Sequence, residues 1–474
     1  MTTDRTSAAP GAPPLATASD EEGYKRGLNP RTIQMIAIGG AIGTGLFYGA
    51  GGAIEQAGPA LILCYLAAGL AIFVIMRALG ELLTYRPVSG SFAEYANEFL
   101  GRFAGFVTGW TYWAVWVATC MAEITVAGKY VKYWFAIPEW VTALVVLGVL
   151  FAANLISVKL FGEGEFWFSA IKVTAIVGMI LIGIGVLVFG FGHTDHSTVT
   201  NLWSAGGVFP NGVDQAMLAL QIVVFAYVGV ELVGVTAGEA ADPRRTLRKA
   251  INTLPLRIGL FYVGALIIIM SVVSWTEFHS GRSPFVEVFA QIGIPGAAGL
   301  INFVLLTAAL SSCNSGIYST GRMLRSLSLR EEAPSALSGL SRRQVPYAGI
   351  VVSAAMMVIG VVVNVISPDK AFNYITSVST MGIIFVWGMI LVCHLLYRAK
   401  VRRGELPASD YRLPGAPVTS VLALAFLGLV VVLLFFTDSG RTALVVGLVW
   451  AVLVCAGYPL VNRLVRRRET VASA

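Results

Sequence analysis

Four glycines fall within seven residues, at positions 39, 40, 43 and 45, in the middle of the chain's first long apolar stretch, Gly39-Gly40-Ala41-Ile42-Gly43-Thr44-Gly45-Leu46-Phe47. Glycine inside a helix costs about 1 kcal/mol relative to alanine, so this stretch predicts a helix that comes apart at its centre. Unwound backbone cannot face lipid, where every unpaired N–H or C=O is costly. Free amides around Ile42, Gly43, Thr44 and Gly45 therefore line an internal cavity, and the positive end of the outer half-helix suits them to a carboxylate. Close packing of helices through small residues is the competing reading. It requires the glycines on one face, and here they fall on several.

The surroundings make that cavity a membrane one. Of 474 residues, 56% are hydrophobic and 12% charged, against about one quarter charged in an ordinary soluble domain. Long apolar runs recur along the chain, each sufficient to cross a bilayer at roughly 20 residues per helix. The fold class is an all-α polytopic membrane protein. Cys64, Cys120, Cys313, Cys393 and Cys455 stand singly in apolar segments, as small buried hydrophobes rather than disulfides or metal ligands. The net charge of +7 lies in loops, which points to a membrane surface and away from nucleic acid.

Residues 1–28 are rich in Ala, Pro, Thr, Ser and Gly without periodicity and read as a disordered tail. They carry none of the features of a cleaved signal. About twelve crossings follow, at about 32–54, 59–83, 103–130, 140–158, 166–189, 213–240, 254–275, 296–324, 347–366, 371–397, 418–436 and 442–461. Arg77 and Glu81 form an i,i+4 pair able to bridge at the end of the second. With the N-terminus inside, the cytoplasmic gaps hold Arg86, Arg102, Lys159, Arg244, Arg245, Arg248, Lys249, Arg322, Arg325, Arg330, Arg342, Arg343, Arg398, Lys400, Arg402, Arg403 and Arg412. The other side holds Lys129, Lys132, Arg282, Lys370 and Arg441. This asymmetry places both termini in the cytoplasm, the last anchored by Arg466-Arg467-Arg468.

A second interruption lies in the sixth crossing, at Phe225-Ala226-Tyr227-Val228-Gly229-Val230-Glu231. Paired interruptions in corresponding positions of two halves point to a transporter site. Because the second break comes five crossings after the first, the halves have opposite orientation. Crossings one to ten (29–400) then form a five-plus-five inverted repeat, with 401–474 an appendage of two helices and a cytoplasmic tail.

At the second break, Phe225 and Tyr227 are placed to cover a ligand, and freed carbonyls around Ala226 and Gly229 to accept from an ammonium. An ordinary kinked helix with aromatic core residues is the alternative. Lys172, an ionisable group within the fifth crossing, is a functional candidate by default. Its amine can stand where a bound cation would, with protons then the coupling ion, or it can snorkel to the cytoplasmic surface two turns away. Position alone leaves both open. Glu231 follows the second break directly and can gate, relay a proton or pair with a cation. Glu123, toward the outer end of the third crossing, is either part of the site or a solvated partner of Lys129, and Glu239 is structural. Ser312, in the run Ser311-Ser312-Cys313-Asn314-Ser315, faces either the cavity or a neighbouring helix. His193, His196, His279 and His394 have no metal-ligand spacing, and no nucleophile-and-base set is present, so the chain is not read as an enzyme.

These residues resemble the amino acid transporter family of the amino acid–polyamine–organocation superfamily. The resemblance runs from Glu21 to the last helix. It rests on Gln34 through Phe47, Ser89-Gly90-Ser91-Phe92, Gly164-Glu165-Phe166-Trp167-Phe168, Phe225 through Glu239 and Leu306 through Gly316. Glu21-Glu22-Gly23-Tyr24, Val345-Pro346-Tyr347-Ala348-Gly349 and Leu413-Pro414-Gly415-Ala416-Pro417 look most like the asparagine permeases. Val228-Gly229-Val230-Glu231-Leu232 and the run from Thr253 to Val272 look like the D-serine, D-alanine and glycine permeases. Ala122-Glu123-Ile124-Thr125 resembles the aromatic and GABA permeases. The resemblance implies the inverted-repeat fold and amino acid uptake with protons. It also implies that Lys172 acts in place of sodium, and it matches Glu231 to an acidic residue of the family's sixth helix.

The resulting expectation is proton-coupled import of a neutral amino acid, with L-asparagine a candidate, across the cytoplasmic membrane. An amino acid exchanger on the same fold and a receptor that binds without transport are the alternatives. No cofactor is expected; the partners are the amino acid, protons and membrane lipid.

Overall fold

Thr108, Thr119 and Thr125 sit on a helix buried almost throughout its length, and each hydroxyl donates to the carbonyl four residues earlier, at 2.7 to 2.8 Å. This is how a membrane helix carries polar residues without leaving them unpaired. The helix, Arg102–Val131, is the centre of the molecule.

The computed structural model describes residues 42–87, 91–156, 158–190, 197–236 and 243–472. The expected tail at 1–28, the start of the first crossing with Gly39 and Gly40, and Ser89, Gly90, His193, His196 and Glu239 lie outside them, as do the side chains of Lys159, Arg244 and Arg466 to Arg468.

In chain order the α-helices are α1 (Thr44–Phe47), α2 (Gly49–Ala57), α3 (Leu61–Tyr85), α4 (Ser91–Leu100), α5 (Arg102–Val131), α6 (Glu139–Ile156), α7 (Val158–Phe189), α8 (Gly212–Leu218), α9 (Leu220–Ala226), α10 (Leu232–Thr236), α11 (Pro243–Asn252) and α12 (Leu254–Arg257). A π-helical turn, Ile258–Gly264, leads into α13 (Ala265–Val272). Then come α14 (Pro284–Ile292), α15 (Ala297–Leu329), α16 (Tyr347–Ile366), α17 (Ala371–Arg402), α18 (Val418–Leu434) and α19 (Asp438–Ala472). There is no strand among the described residues.

Eight stretches are long and apolar enough to cross a bilayer, and the helices Gly212–Ala226 and Val418–Leu434 are shorter apolar ones. α5 is 30 residues long but is not among the eight, for a physical reason. Its faces are covered by α15, α17, α4, α6 and α16, so protein rather than lipid sets its polarity. α19 is the opposite case, with Leu448, Val452 and Leu453 at least 60% exposed on an outer face. Helices are joined by side-chain hydrogen bonds that replace the missing hydrophobic drive between apolar surfaces in lipid. Trp113 donates to Ser353 (2.9 Å), Asn154 to Asn314 (2.8 Å) and Asn364 to Thr125 (2.6 Å).

Each of the twelve predicted crossings has a helical counterpart, and that at 347–366 coincides with α16. Three differences carry consequences. α7 begins at Val158, so Glu165 lies inside the fifth crossing rather than just before it. The loop before the third crossing contains α4, a separate helix. Arg77 and Glu81 do not bridge. Arg77 donates to Asn252 (2.9 Å) and to the Arg412 carbonyl (2.7 Å), while Glu81 turns inward to other partners.

The end of the bundle that carries most of the basic loops is held together by a strap, residues 404–417. Tyr411 lies under the Arg77 guanidinium, 3.7 Å from the ring centre, and its hydroxyl donates to Asn252 at 2.8 Å. Arg248 pairs with Asp410 beside it. Deeper in, Glu81 and His394, at most 1% exposed, meet at 3.0 Å; Glu81 also takes the Leu413 amide at 2.6 Å and Arg398 at 3.3 Å.

Candidate functional site

Gly43 has an extended backbone, and the helix begins only at Thr44. Tyr48 keeps right-handed helical geometry, so α1 and α2 run on as one stretch from 44 to 57. The first amides of such a helix have no partner four residues back. That of Thr44 is turned toward Glu123 of α5, whose Oε1 accepts from it at 3.4 Å. The Thr44 hydroxyl and Glu123 Oε2, both on fully or almost fully buried residues, have no hydrogen-bond partner among the described residues. Ser312 of α15 faces the same point, since a Cβ on Gly43 would lie 2.6 Å from Glu123 Oε1 and 3.2 Å from Ser312 Oγ. This is a buried pocket of hydroxyl and amide donors around one carboxylate, with hydrogen-bonding capacity unspent on both sides. The reading of Glu123 as a partner of Lys129 is corrected: Lys129 pairs with Glu139 at 3.3 Å.

The carbonyl side of the first break is taken by a cation. Lys172, fully buried, donates to the Ile42 carbonyl at 3.3 Å and to Ser311 Oγ at 2.9 Å. It reaches into the bundle rather than toward the bilayer surface. Ser311 in turn donates to Glu165 Oε1 at 2.6 Å. Glu165 was not singled out as a site residue, because Gly162-Glu163-Gly164-Glu165 reads as a polar loop. The available signal was the spacing of seven residues to Lys172, which puts both on one helical face.

At the sixth crossing, α9 stops at Ala226 and α10 starts at Leu232. Between them the backbone makes tight turns, with Val228 bonded to Phe225 and Val230 to Tyr227 at 3.0 and 3.3 Å. Gly229 has φ +104°, a left-handed value that favours glycine. The two breaks touch directly, since a Cβ on Gly45 would stand 2.6 Å from the Ala226 Cα. Phe225 lies beside the same glycine. Tyr227 does not join it. Its ring stacks on Tyr262 at 4.6 Å and its hydroxyl donates to the Tyr65 carbonyl at 2.9 Å. The Ala226 carbonyl accepts from Tyr262 at 3.2 Å.

Glu231, also fully buried, stands apart from the Lys172 group. It accepts from the Gly229 amide at 3.1 Å and from the Tyr112 hydroxyl at 3.4 Å. Tyr112 and Glu123 are both on α5, about 16 Å apart along its axis at 1.5 Å per residue. Thus Glu231 holds the loop of the second break on the basic side, and Lys172, Glu123, Ser312 and Gly43 gather at the first.

On the opposite side an aromatic layer closes over the breaks. Tyr48 meets Phe372 at 5.0 Å and Tyr130 at 6.3 Å, and Phe372 meets Phe225 at 6.2 Å. Beyond it opens a vestibule of about 750 Å³, lined by Tyr48, Tyr130, Lys129, Glu139, Arg282 and Glu287 among others. No group of three metal-ligating side chains comes together among the described residues.

Apolar crossings around a polar, glycine-broken centre define a polytopic helical membrane transporter. The comparisons with known proteins make the class specific. A family model described as amino acid permease matches residues 32–471, and the chain belongs to that family. It is 47% identical over 435 residues to the uncharacterized amino acid permease YtnA of Bacillus subtilis, a match covering 91% of this chain and 94% of the relative. It is 46% identical over 436 residues to that organism's probable threonine/serine transporter YbxG, covering 92% and 94%. To the L-asparagine permease of Streptomyces coelicolor it is 45% identical over 458 residues, covering 94% and 92%.

Proposed function

We propose that this permease imports a neutral amino acid together with protons. The observation that carries the reading is the position of Lys172, whose ammonium rests on the Ile42 carbonyl at the point where the first helix breaks. A titratable cation placed there ties proton binding to the geometry of the amides one residue on. The substrate carboxylate sits on the amides of Gly43, Thr44 and Gly45, displacing Glu123, with Ser312 beside it. The substrate ammonium is met by carbonyls of the two breaks near Ala226 and Gly229, and Phe225 covers it. Glu231 sets the shape of the second break.

The basic face is cytoplasmic, as are both termini, by the excess of Lys and Arg in its loops; the vestibule faces outward. Residues 29–400 form the transporting core and 401–474 its appendage. L-asparagine is the leading substrate, because relatives named L-asparagine permease align over nearly the whole chain. L-serine and L-threonine come next, from the relative named as their probable transporter.

The test is uptake by reconstituted vesicles under an inward proton gradient, with asparagine, serine and threonine competing. Accumulation abolished by a protonophore is expected. Uptake that needs amino acid inside the vesicle and ignores the gradient would make the protein an exchanger and refute the coupling.

A further inference from the structure

We propose that Glu165 is the acceptor for the Lys172 proton, which passes to it through the Ser311 hydroxyl. The inference rests on the proton-coupled reading above and extends it to a residue outside the substrate pocket.

The direction of the hydrogen bonds carries the argument. An ammonium has donors only, so at 2.9 Å Ser311 Oγ accepts from Lys172 Nζ. The hydroxyl's own proton is then free, and it is donated to Glu165 Oε1 at 2.6 Å, the separation typical of a hydroxyl on a charged carboxylate. Ser169 adds a longer contact at 3.5 Å to the same oxygen. The chain N–H to O–H to carboxylate is thus continuous and points one way.

The step balances. As Ser311 gives its proton to Glu165, it takes one from Lys172. The product is a neutral amine, a neutral acid and an intact hydroxyl, and the total charge is unchanged. Lys172 and Glu165 are both fully buried, and a dry interior favours the neutral pair over two separated charges. Glu165 Oε2 makes no close hydrogen bond among the described residues, with Ser315 and Asn314 of α15 beside the carboxylate. That is costly for a permanent carboxylate, less so for one that spends part of the cycle as an acid. When Lys172 becomes neutral, its grip on the Ile42 carbonyl weakens, and the first break is released.

Few other charges intrude. Glu123 on α5 is the other acid acting on Lys172, and Glu163 on α7 itself is exposed. The α6 side chain facing the same part of α15 is Asn154, which is uncharged and bonded to Asn314. α13 is without titratable side chains.

Infrared difference spectra of the purified full-length protein, taken across a pH titration, test the relay without any substrate. A carboxylic-acid carbonyl band is expected that disappears in Glu165→Gln and survives in Glu123→Gln and Glu231→Gln. Ser311→Ala should move its midpoint by about one pH unit, a tenfold change in proton affinity, and Ser311→Thr should restore it. A band unchanged in Glu165→Gln, or a midpoint unmoved in Ser311→Ala, overturns the proposal. Asparagine uptake measured on the same preparations separates the two readings. A wild type that shows the band and accumulates nothing would sink the transport reading and leave the relay standing.

Discussion

Gly45 lies so close to Ala226 that a Cβ on the glycine would stand 2.6 Å from the alanine Cα and 2.9 Å from its nitrogen. The obstacle is backbone, which cannot swing aside. At Gly43 the corresponding obstacle is Glu123 Oε1, the end of a side chain. Gly45→Ala is therefore expected to lower stability by about 1–3 kcal/mol through overpacking and to abolish uptake. Gly43→Ala should unfold near the wild-type temperature and lose affinity. Thermal unfolding of the two purified variants, with binding alongside, checks the order; equal melting points would contradict it.

Lys172 is expected to matter more for the coupling than for substrate binding itself. Lys172→Ala should retain counterflow exchange of labelled amino acid while its gradient-driven accumulation falls to that of empty vesicles. Normal accumulation would remove the lysine from the coupling.

The Glu81–His394 pair offers a stability test away from the site. Removing one partner of a buried ion pair costs about 3–5 kcal/mol, and the buried Glu81 carboxylate pairs with Arg398 while also meeting His394 and accepting from the Leu413 amide. Glu81→Ala should approach that loss. His394→Ala should cost less, because the carboxylate keeps two of its three partners. Melting temperatures in the same detergent decide.

A pH dependence is expected from Glu332, just beyond the end of α15. Burial pushes its carboxyl above the usual carboxylate range, against the pull of Arg330 at 3.1 Å. A group whose folded value is raised binds its proton more tightly when folded. Its contribution to stability therefore falls as the pH climbs from the unfolded value through the folded one. Glu332→Gln, always neutral, should flatten that part of the curve. An identical stability profile from acid to neutral pH would contradict the assignment.

The crossings were legible because apolar length and flanking charge are local signals. α16 follows its apolar run residue for residue, from Tyr347 to Ile366. The site was legible only in outline. Gly45 and Phe225 were found by the cost of glycine and by symmetry, and they lie side by side where the breaks meet. Tyr227 looked equivalent to Phe225 by spacing, and only packing against Tyr65 and Tyr262 turns it elsewhere. Glu165 was hidden by its neighbours, because two glycines and an acid beside it imitate a loop, and α15 supplies the serine that makes it part of a chain. The partner of Glu81 is 313 residues away, beyond the reach of any i,i+4 rule.

Tyr411 bears on how the bundle can move. Arg77, above its ring, belongs to the second crossing, and Asn252, at its hydroxyl, closes the link between the sixth and seventh. These two parts cannot separate at that end without sliding a guanidinium off an aromatic face. At the far end the links are separate hydrogen bonds around the vestibule, such as Ser283 to the Phe47 carbonyl at 2.6 Å and Asn302 to the Tyr130 carbonyl at 2.8 Å, and about 750 Å³ between them is already open. The bundle is pinned like a clothes peg, so its easiest excursion is a tilt about the Tyr411 end, with the largest travel farthest from it.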